Sequence, residues 1–233
     1  MTVSTKFTYK DMPTTGLTGL GGDGGGSGWS GDSDIDLLIE ATGTSAKHEA
    51  LELNVNLADL NIIKGQHETY VVTHKNIDDV VLTMKDVERL VCTDKALALD
   101  VNGEAGEVYS LLAAGLGQAD VTPALLGIGL ALKDAGKSDV ELAQMILDSA
   151  LYKQDALGSS NETFVKHVYK NLTGETISLA DLTVFTGWLD RNEVTQAQLL
   201  ETASNLESFR DADHINLVGV VDTGLEYIPY NLV

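Results

Sequence analysis

The chain has 233 residues, and its 35 Asp and Glu against 15 Lys and Arg leave a formal net charge of −20. That balance argues against nonspecific attraction to nucleic-acid phosphates or anionic lipid, while 43% hydrophobic residues argue against a disordered chain. The single cysteine, Cys92, excludes an intramolecular disulfide and any cysteine-cluster zinc or iron–sulfur centre, and no run reaches the roughly 18 apolar residues of a membrane span.

The opening, Met1 to Asp11, lacks the charged start and apolar run of a Sec-type signal peptide. Taken alone, that reads as a cytosolic protein. The acidic balance and scarcity of cysteine also fit bacterial proteins that a one-step type I transporter exports unfolded, which places this chain outside the cell or at its surface. Residues 1–33 read as a Gly-rich flexible or assembly arm centred on Gly21-Gly-Asp-Gly-Gly-Gly-Ser-Gly-Trp-Ser-Gly-Asp-Ser-Asp-Ile-Asp36, because glycine weakens any regular element. On such an arm, Trp29 is a candidate for insertion into a neighbouring subunit's pocket.

Residues 34–101 change character. β-Branched runs and partial alternation in Leu51–Leu57, Tyr70–Thr73, Val80–Thr83 and Leu97–Leu99 predict a small β domain, of roll or sandwich type. After Asn102-Gly103 the pattern becomes helical, and residues 102–213 read as an all-helical domain. Thr122-Pro123 offers an N-cap followed by a first-turn proline. Ser138-Asp-Val-Glu141, Ser159-Ser-Asn-Glu162 and Thr195-Gln-Ala-Gln198 have capping-box spacing. Ser178 precedes a stretch whose Leu182, Phe185, Trp188 and Leu189 share one helical face, predicted to build core.

The helical half looks internally duplicated: Val108 to Asp155 can be laid on Lys166 to Asp211, with Gly117 near Gly174 and Gly129 on Gly187. Each copy is then expected to close with a third helix, ending at Tyr152–Asp155 or at Phe209–Asp211. Duplicated helical units usually bury their apolar faces against each other. Residues 214–233, ending Leu225-Glu-Tyr-Ile-Pro-Tyr-Asn-Leu-Val233, read as an uncleaved secretion signal or as a docked terminal strand. The fold class is thus α+β, a β domain followed by a duplicated helical domain.

Leu82-Thr-Met-Lys-Asp-Val-Glu-Arg-Leu-Val-Cys-Thr-Asp-Lys-Ala-Leu-Ala-Leu-Asp-Val-Asn-Gly-Glu-Ala-Gly-Glu-Val-Tyr109 resembles a junction found in bacterial secreted proteins. There, a β segment with a Val-Glu-Arg-Leu core leads through Leu-Ala-Leu-Asp and an Asn/Asp-Gly turn into a helical domain of unknown function. That domain often stands beside calcium-binding RTX repeats and is distantly similar to the phycobilisome linker domain. The resemblance covers about residues 80–212 and implies a type I secreted surface protein. The chain departs from the pattern: only Gly187-Trp188 remains of the Gly-Leu-x-x-Trp signature, and the RTX nonapeptide is not repeated.

Chemical constellations are sparse. Asp32, Asp34 and Asp36 could supply part of a calcium site, calcium being a hard ion that takes carboxylate and carbonyl oxygens, although a solvated acidic arm fits them better. Asp78 and Asp79 read as solvated turn residues. His48, His67 and His74 fit no metal motif. Cys92, with His167 or His214 distant in sequence, reads as a core thiol rather than a nucleophile, and there is no Gly-x-Ser-x-Gly elbow or phosphate loop. The expectation is a non-enzymatic, extracellular structural protein that assembles with copies of itself into a surface layer, filament or matrix, with calcium assisting. The alternative is a secreted adhesion module for a glycan or protein, in which Trp188, Asp190 and Asn192 form the compact candidate site.

Overall fold

A computed structural model of the chain describes residues 5–7, 37–42, 50–66, 69–156, 158–206 and 223–231. It divides into two compact units, Met1–Ala96 and Leu97–Val233. The architecture is α+β, with strands concentrated over about residues 50–98 and helices following from residue 104.

The first unit contains β1 (Thr5–Phe7), β2 (Leu37–Thr42), β3 (Ala50–Leu53), β4 (Leu60–Lys64), β5 (Thr69–His74), β6 (Ile77–Lys85) and β7 (Arg89–Val91). β1 and β7 both pair in parallel with β3, setting Thr5 against Leu51 and Leu51 against Leu90. β2 pairs in parallel with β6, Leu37 opposite Val80 and Thr42 opposite Lys85, while β4, β5 and β6 form an antiparallel meander. The chain therefore alternates between two sheets. Period-2 burial explains the meander: Tyr70 and Val72 on β5, with Leu82 and Met84 on β6, turn inward. The tight β5–β6 turn is fixed by His74, whose Nδ1 accepts from the Asn76 backbone N–H at 3.1 Å. Three of these strands, β3, β5 and β6, overlap predicted runs, while β2 was not among them. β1 falls in the stretch read as the arm, and β4 and β7 went unread because Leu60-Asn-Ile-Ile-Lys64 and Arg89-Leu-Val91 show no clean alternation.

The second unit is built on α1 (Glu104–Leu116), α2 (Pro123–Asp134), α3 (Asp139–Asp148), α4 (Ala150–Asp155), α5 (Asn161–Thr173), α6 (Leu179–Asp190) and α7 (Gln196–Ser204). β8 (Ala96–Ala98) leads into it and β9 (Leu225–Tyr227) returns beside β8, so the docked-strand reading of the C-terminal segment describes residues 225–227. Gly224 makes that return feasible: its φ is +142°, and a Cβ there would lie 2.5 Å from the Ala98 carbonyl oxygen. Nearly all of α1 is buried, because α2, α3, α5 and α7 all pack on it. Its start is held by Asp100, whose Oδ2 accepts from Ala105 N at 3.1 Å.

Local capping chemistry sets the helix starts. Thr122, Ser138, Ser178 and Thr195 are N-caps, and Ser138 with Glu141 and Thr195 with Gln198 form full capping boxes. The predicted box at Ser159 is displaced by one residue. Ser160 is the cap and accepts from Thr163 N, while Glu162 instead pairs with Lys166 one turn on at 2.5 Å. The predicted third helix of the first copy is two helices. Ser149 adopts an extended ψ of 154° between them; its hydroxyl donates to the Ile146 carbonyl behind it and accepts from Tyr152 N ahead. Phe209–Asp211 lie outside the described residues.

Candidate functional site

Three helices recur in order and nearly in length: α1, α2 and α3 have 13, 12 and 10 residues, and α5, α6 and α7 have 13, 12 and 9. Each triplet is fastened by one polar clasp joining its three helices. In the first, Lys133 near the end of α2 lies 2.6 Å from Asp139 on α3 and 3.5 Å from Glu107 on α1. Burial pulls the Lys133 ammonium down, but hydrogen bonding and attraction to Asp139, then Glu107 and Glu104, outweigh it and hold the group above its ordinary value. In the second, Asn161 on α5 donates to Asp190 on α6 at 2.8 Å and accepts from Gln196 on α7 at 2.9 Å. One clasp is ionic. The other is built from amides around a single carboxylate.

The middle helices differ more sharply. α2 carries Gly127 and Gly129 two residues apart, hence on nearly opposite faces. A Cβ on Gly129 would come within 2.6 Å of Val108 on α1, and one on Gly127 within 1.8 Å of the Ile228 carbonyl oxygen. The C-terminal segment lies directly on the outer face of α2, where Ile228 N also donates to the Pro123 carbonyl at 3.0 Å. α6 has no counterpart to that cover among the described residues. Leu182 and Leu189 face inward, whereas Leu179 is 79% exposed, Val184 48% and Trp188 37%. Trp188 stacks edge-to-face on Phe185, with ring centroids 5.3 Å apart.

The predicted face of Leu182, Phe185, Trp188 and Leu189 is thus corrected: it is split. Leu182 and Leu189 enter the core, and Trp188 lies at the surface because a helix that packs chiefly on α5 buries only a narrow stripe. Asp190 and Asn192 stand near Trp188 in sequence but do different work. Asp190 holds the clasp, and Asn192, at φ 54°, makes the turn after α6 and donates its N–H to Leu189 O. Trp29, Asp32, Asp34 and Asp36 lie outside the described residues, as do His48, His67 and His214; the side chains of Asp78 and Asp79 are also undescribed.

Cys92 is buried, and desolvation, with Asp94 adding to it, pushes its thiol up to about 12, so it is a poor nucleophile at neutral pH. Among the described residues no group of three or more His, Cys, Asp or Glu side chains is arranged to hold a metal, and no helix is long and apolar enough to cross a membrane. His167 does structural work that the sequence reading missed. Its Nε2 lies 2.8 Å from the Gly115 carbonyl, and Asn171 donates to the Ala114 carbonyl at 3.1 Å, so two side chains of α5 serve the unpaired carbonyls ending α1. Tyr152 packs edge-on against the His167 ring, and burial pushes its phenol up to about 12.

A cavity of about 180 Å³ opens among α1–α4, lined by Val108, Leu112, Ile128, Met145, Ile146 and Leu151 among others. Its one hydroxyl, Ser149, is spent on the α3–α4 junction, leaving a site with no group to orient a polar substrate. No protein-family model matches the chain, and neither the curated proteins nor the solved structures contain a match.

Proposed function

We propose that this is a non-enzymatic structural protein that works by packing against copies of itself in a surface layer, filament or extracellular matrix. The observation that carries this reading is the outer face of α6, uncovered among the described residues, where Leu179, Val184 and Trp188 meet solvent while the matching face of α2 is closed by the chain's own C-terminal segment. An exposed indole flanked by aliphatic side chains is the kind of anchor that contributes most at protein interfaces. The absence of polar groups converging on the apolar cavity is in keeping with this reading.

The finer fold belongs to the same proposal. The two helical triplets are products of an internal duplication, and the parallel β1–β3–β7 and β2–β6 ladders, visited alternately, are turns of a β-roll-like coil. Export by a type I transporter suits the acidic, cysteine-poor composition. Calcium outside the cell, bridging carboxylates that include Asp32, Asp34 and Asp36, would offset the self-repulsion of a −20 chain.

The test is light scattering and sedimentation over a concentration series, with millimolar calcium and then a chelator, for the native protein and a Val184→Lys, Trp188→Asp variant. The native protein is expected to associate and the variant to stay monomeric at unchanged melting temperature. A native protein that remains monomeric at high concentration with calcium overturns the reading. The exposure of Trp188 also suits a glycan- or protein-binding module; a monomer whose Trp188 fluorescence responds to an oligosaccharide would favour that alternative.

A further inference from the structure

The outer edge of the four-stranded sheet is β4, which pairs only with β5 among the described residues. Its hydrogen-bonding phase can be read from its ends. Gly65 N donates to Thr69 O at 2.7 Å and Lys75 N to Asp59 O at 2.8 Å, in register with the Leu60–His74 and Lys64–Tyr70 pairs. Antiparallel ladders alternate, so the backbone groups of Asn61 and Ile63 face β5 and those of Leu60, Ile62 and Lys64 face the open edge. The Leu60 N–H is already donated to the Leu57 carbonyl. Among the described residues, what remains free for an incoming strand is the N–H and C=O of Ile62 and of Lys64, with the C=O of Leu60.

We infer that a second copy of the chain adds its own β4 to this edge, antiparallel and about a two-fold axis through Ile63. This rests on the self-assembly reading and names a second contact for it, separate from α6. Only this register satisfies all the constraints. Ile62 then exchanges both hydrogen bonds with the partner's Lys64, and the reverse, giving four bonds without calling on Leu60 N–H. Registers centred on Asn61 or Ile62 need that spent donor, and one centred on Lys64 sets the two Lys64 side chains directly opposite each other as a like-charge pair.

The side chains favour the same register. Ile63 is 64% exposed on the solvent face of the sheet, and among the described residues it is the only large hydrophobic of the β region left so open. Centring the pair on Ile63 sets it directly opposite its copy in the closer, non-hydrogen-bonded kind of pair, where Cα atoms stand about 4.5 Å apart. Charge agrees as well: β4 carries Lys64 and no carboxylate, so its own residues add no carboxylate repulsion to the pairing of a −20 chain. Lys64 would lie beside the copy's Ile62 and not beside its own counterpart. A single strand pair is small against the about 1,200 Å² of a stable stand-alone interface, so the pairing should be weak and steeply concentration-dependent. With a different contact at α6, two such pairings per chain would propagate as a polymer rather than close as a dimer.

Self-crosslinking tests the register. Ile63→Cys should form an intermolecular disulfide under mild oxidation at least about tenfold faster than Asn61→Cys, because only position 63 meets itself across the axis and gains a high effective concentration. Cys92 is buried and should give no background in the unmodified protein. Ile63→Lys, at an exposed position and checked for an unchanged melting curve, should lower the apparent mass in sedimentation equilibrium. Equal crosslinking rates at positions 61 and 63, or native-like association of Ile63→Lys, overturns the β4 pairing; if Val184→Lys, Trp188→Asp still abolishes association, the self-assembly reading survives that failure. A native chain that is monomeric throughout overturns both.

Discussion

The two helical triplets share one order of helices and differ in finish, and the contrast shows how, among the described residues, one triplet is closed by another segment and the other is left open. In the first, two glycines thin α2 so that α1 and the C-terminal segment close on it from opposite faces. In the second, counting each helix from its N-cap, Thr122 or Ser178, the residue at the position of Gly127 is Thr183 and that at Gly129 is Phe185, not Gly187 as the sequence overlay paired it, so α6 is bulkier on both faces and ends with Trp188 in solvent. The same helix scaffold thus gives a sealed edge and an available one. Which edge is sealed depends on side-chain volume, because packed interiors leave no slack for an added methyl group.

The largest test of that contrast is to add volume at the equivalent positions. Gly127→Val should destabilise the protein by about 3 kcal/mol, since the new atoms would meet the Ile228 backbone rather than a side chain that can swing away. Thr183→Val, on the open helix, should stay within about 0.5 kcal/mol. Denaturant midpoints of the two variants decide the matter, and equal costs would mean that the C-terminal segment is not what seals α2.

A smaller effect separates the clasps. Lys133→Met and Gln196→Ala should each cost about 1 kcal/mol, but only the first cost should shrink between about 0.1 M and about 1 M salt, because only the first clasp is an ion pair. Urea titrations at the two ionic strengths read this directly; equal salt dependence would break the assignment of one clasp as an ion pair and the other as an amide–carboxylate network.

The smallest expected difference is in acid. Glu141 closes the capping box of α3, and its carboxyl is held at about 2 by hydrogen bonds from Lys137, then from the Ser138 backbone and hydroxyl. A carboxyl lowered on folding contributes stability that is complete above its ordinary value near 4.5 and is lost as pH falls toward about 2. The box of α7 uses Gln198, which does not titrate in that window. Amide exchange should therefore show the start of α3 loosening below about pH 4.5 before the start of α7, and Glu141→Gln should remove the difference.

Much of this was legible in the linear chain where the chemistry is local. A serine or threonine followed at three residues by Glu or Gln satisfies its own helix start within one turn, so the caps of α3 and α7 could be read in place, and Thr122 ahead of Pro123 marked that of α2. The one displaced cap, Ser160, failed because two serines and an i,i+4 lysine offered competing partners to Glu162. Ser149 was missed since serving one helix end and the next start at once is not a spacing pattern. At the candidate site, Trp188 was picked out but expected in the core, as helical spacing places it beside Leu189 without saying how wide a stripe α5 will cover. The edge position of β4 was invisible for a related reason: a strand's sequence does not reveal whether a neighbour lies on one side of it or both.

By itself, then, the sequence determined the α+β order, the acidic and cysteine-poor character and most of the helix starts, because each depends on composition or on groups a few residues apart. The tertiary structure alone decided that, among the described residues, α2 is covered while α6 is bare, that β4 ends its sheet, and that one triplet is clasped by amides and the other by an ion pair. Those outcomes turn on contacts between residues far apart in the chain, where a difference of one side chain's volume or one unpaired N–H determines what lies against what.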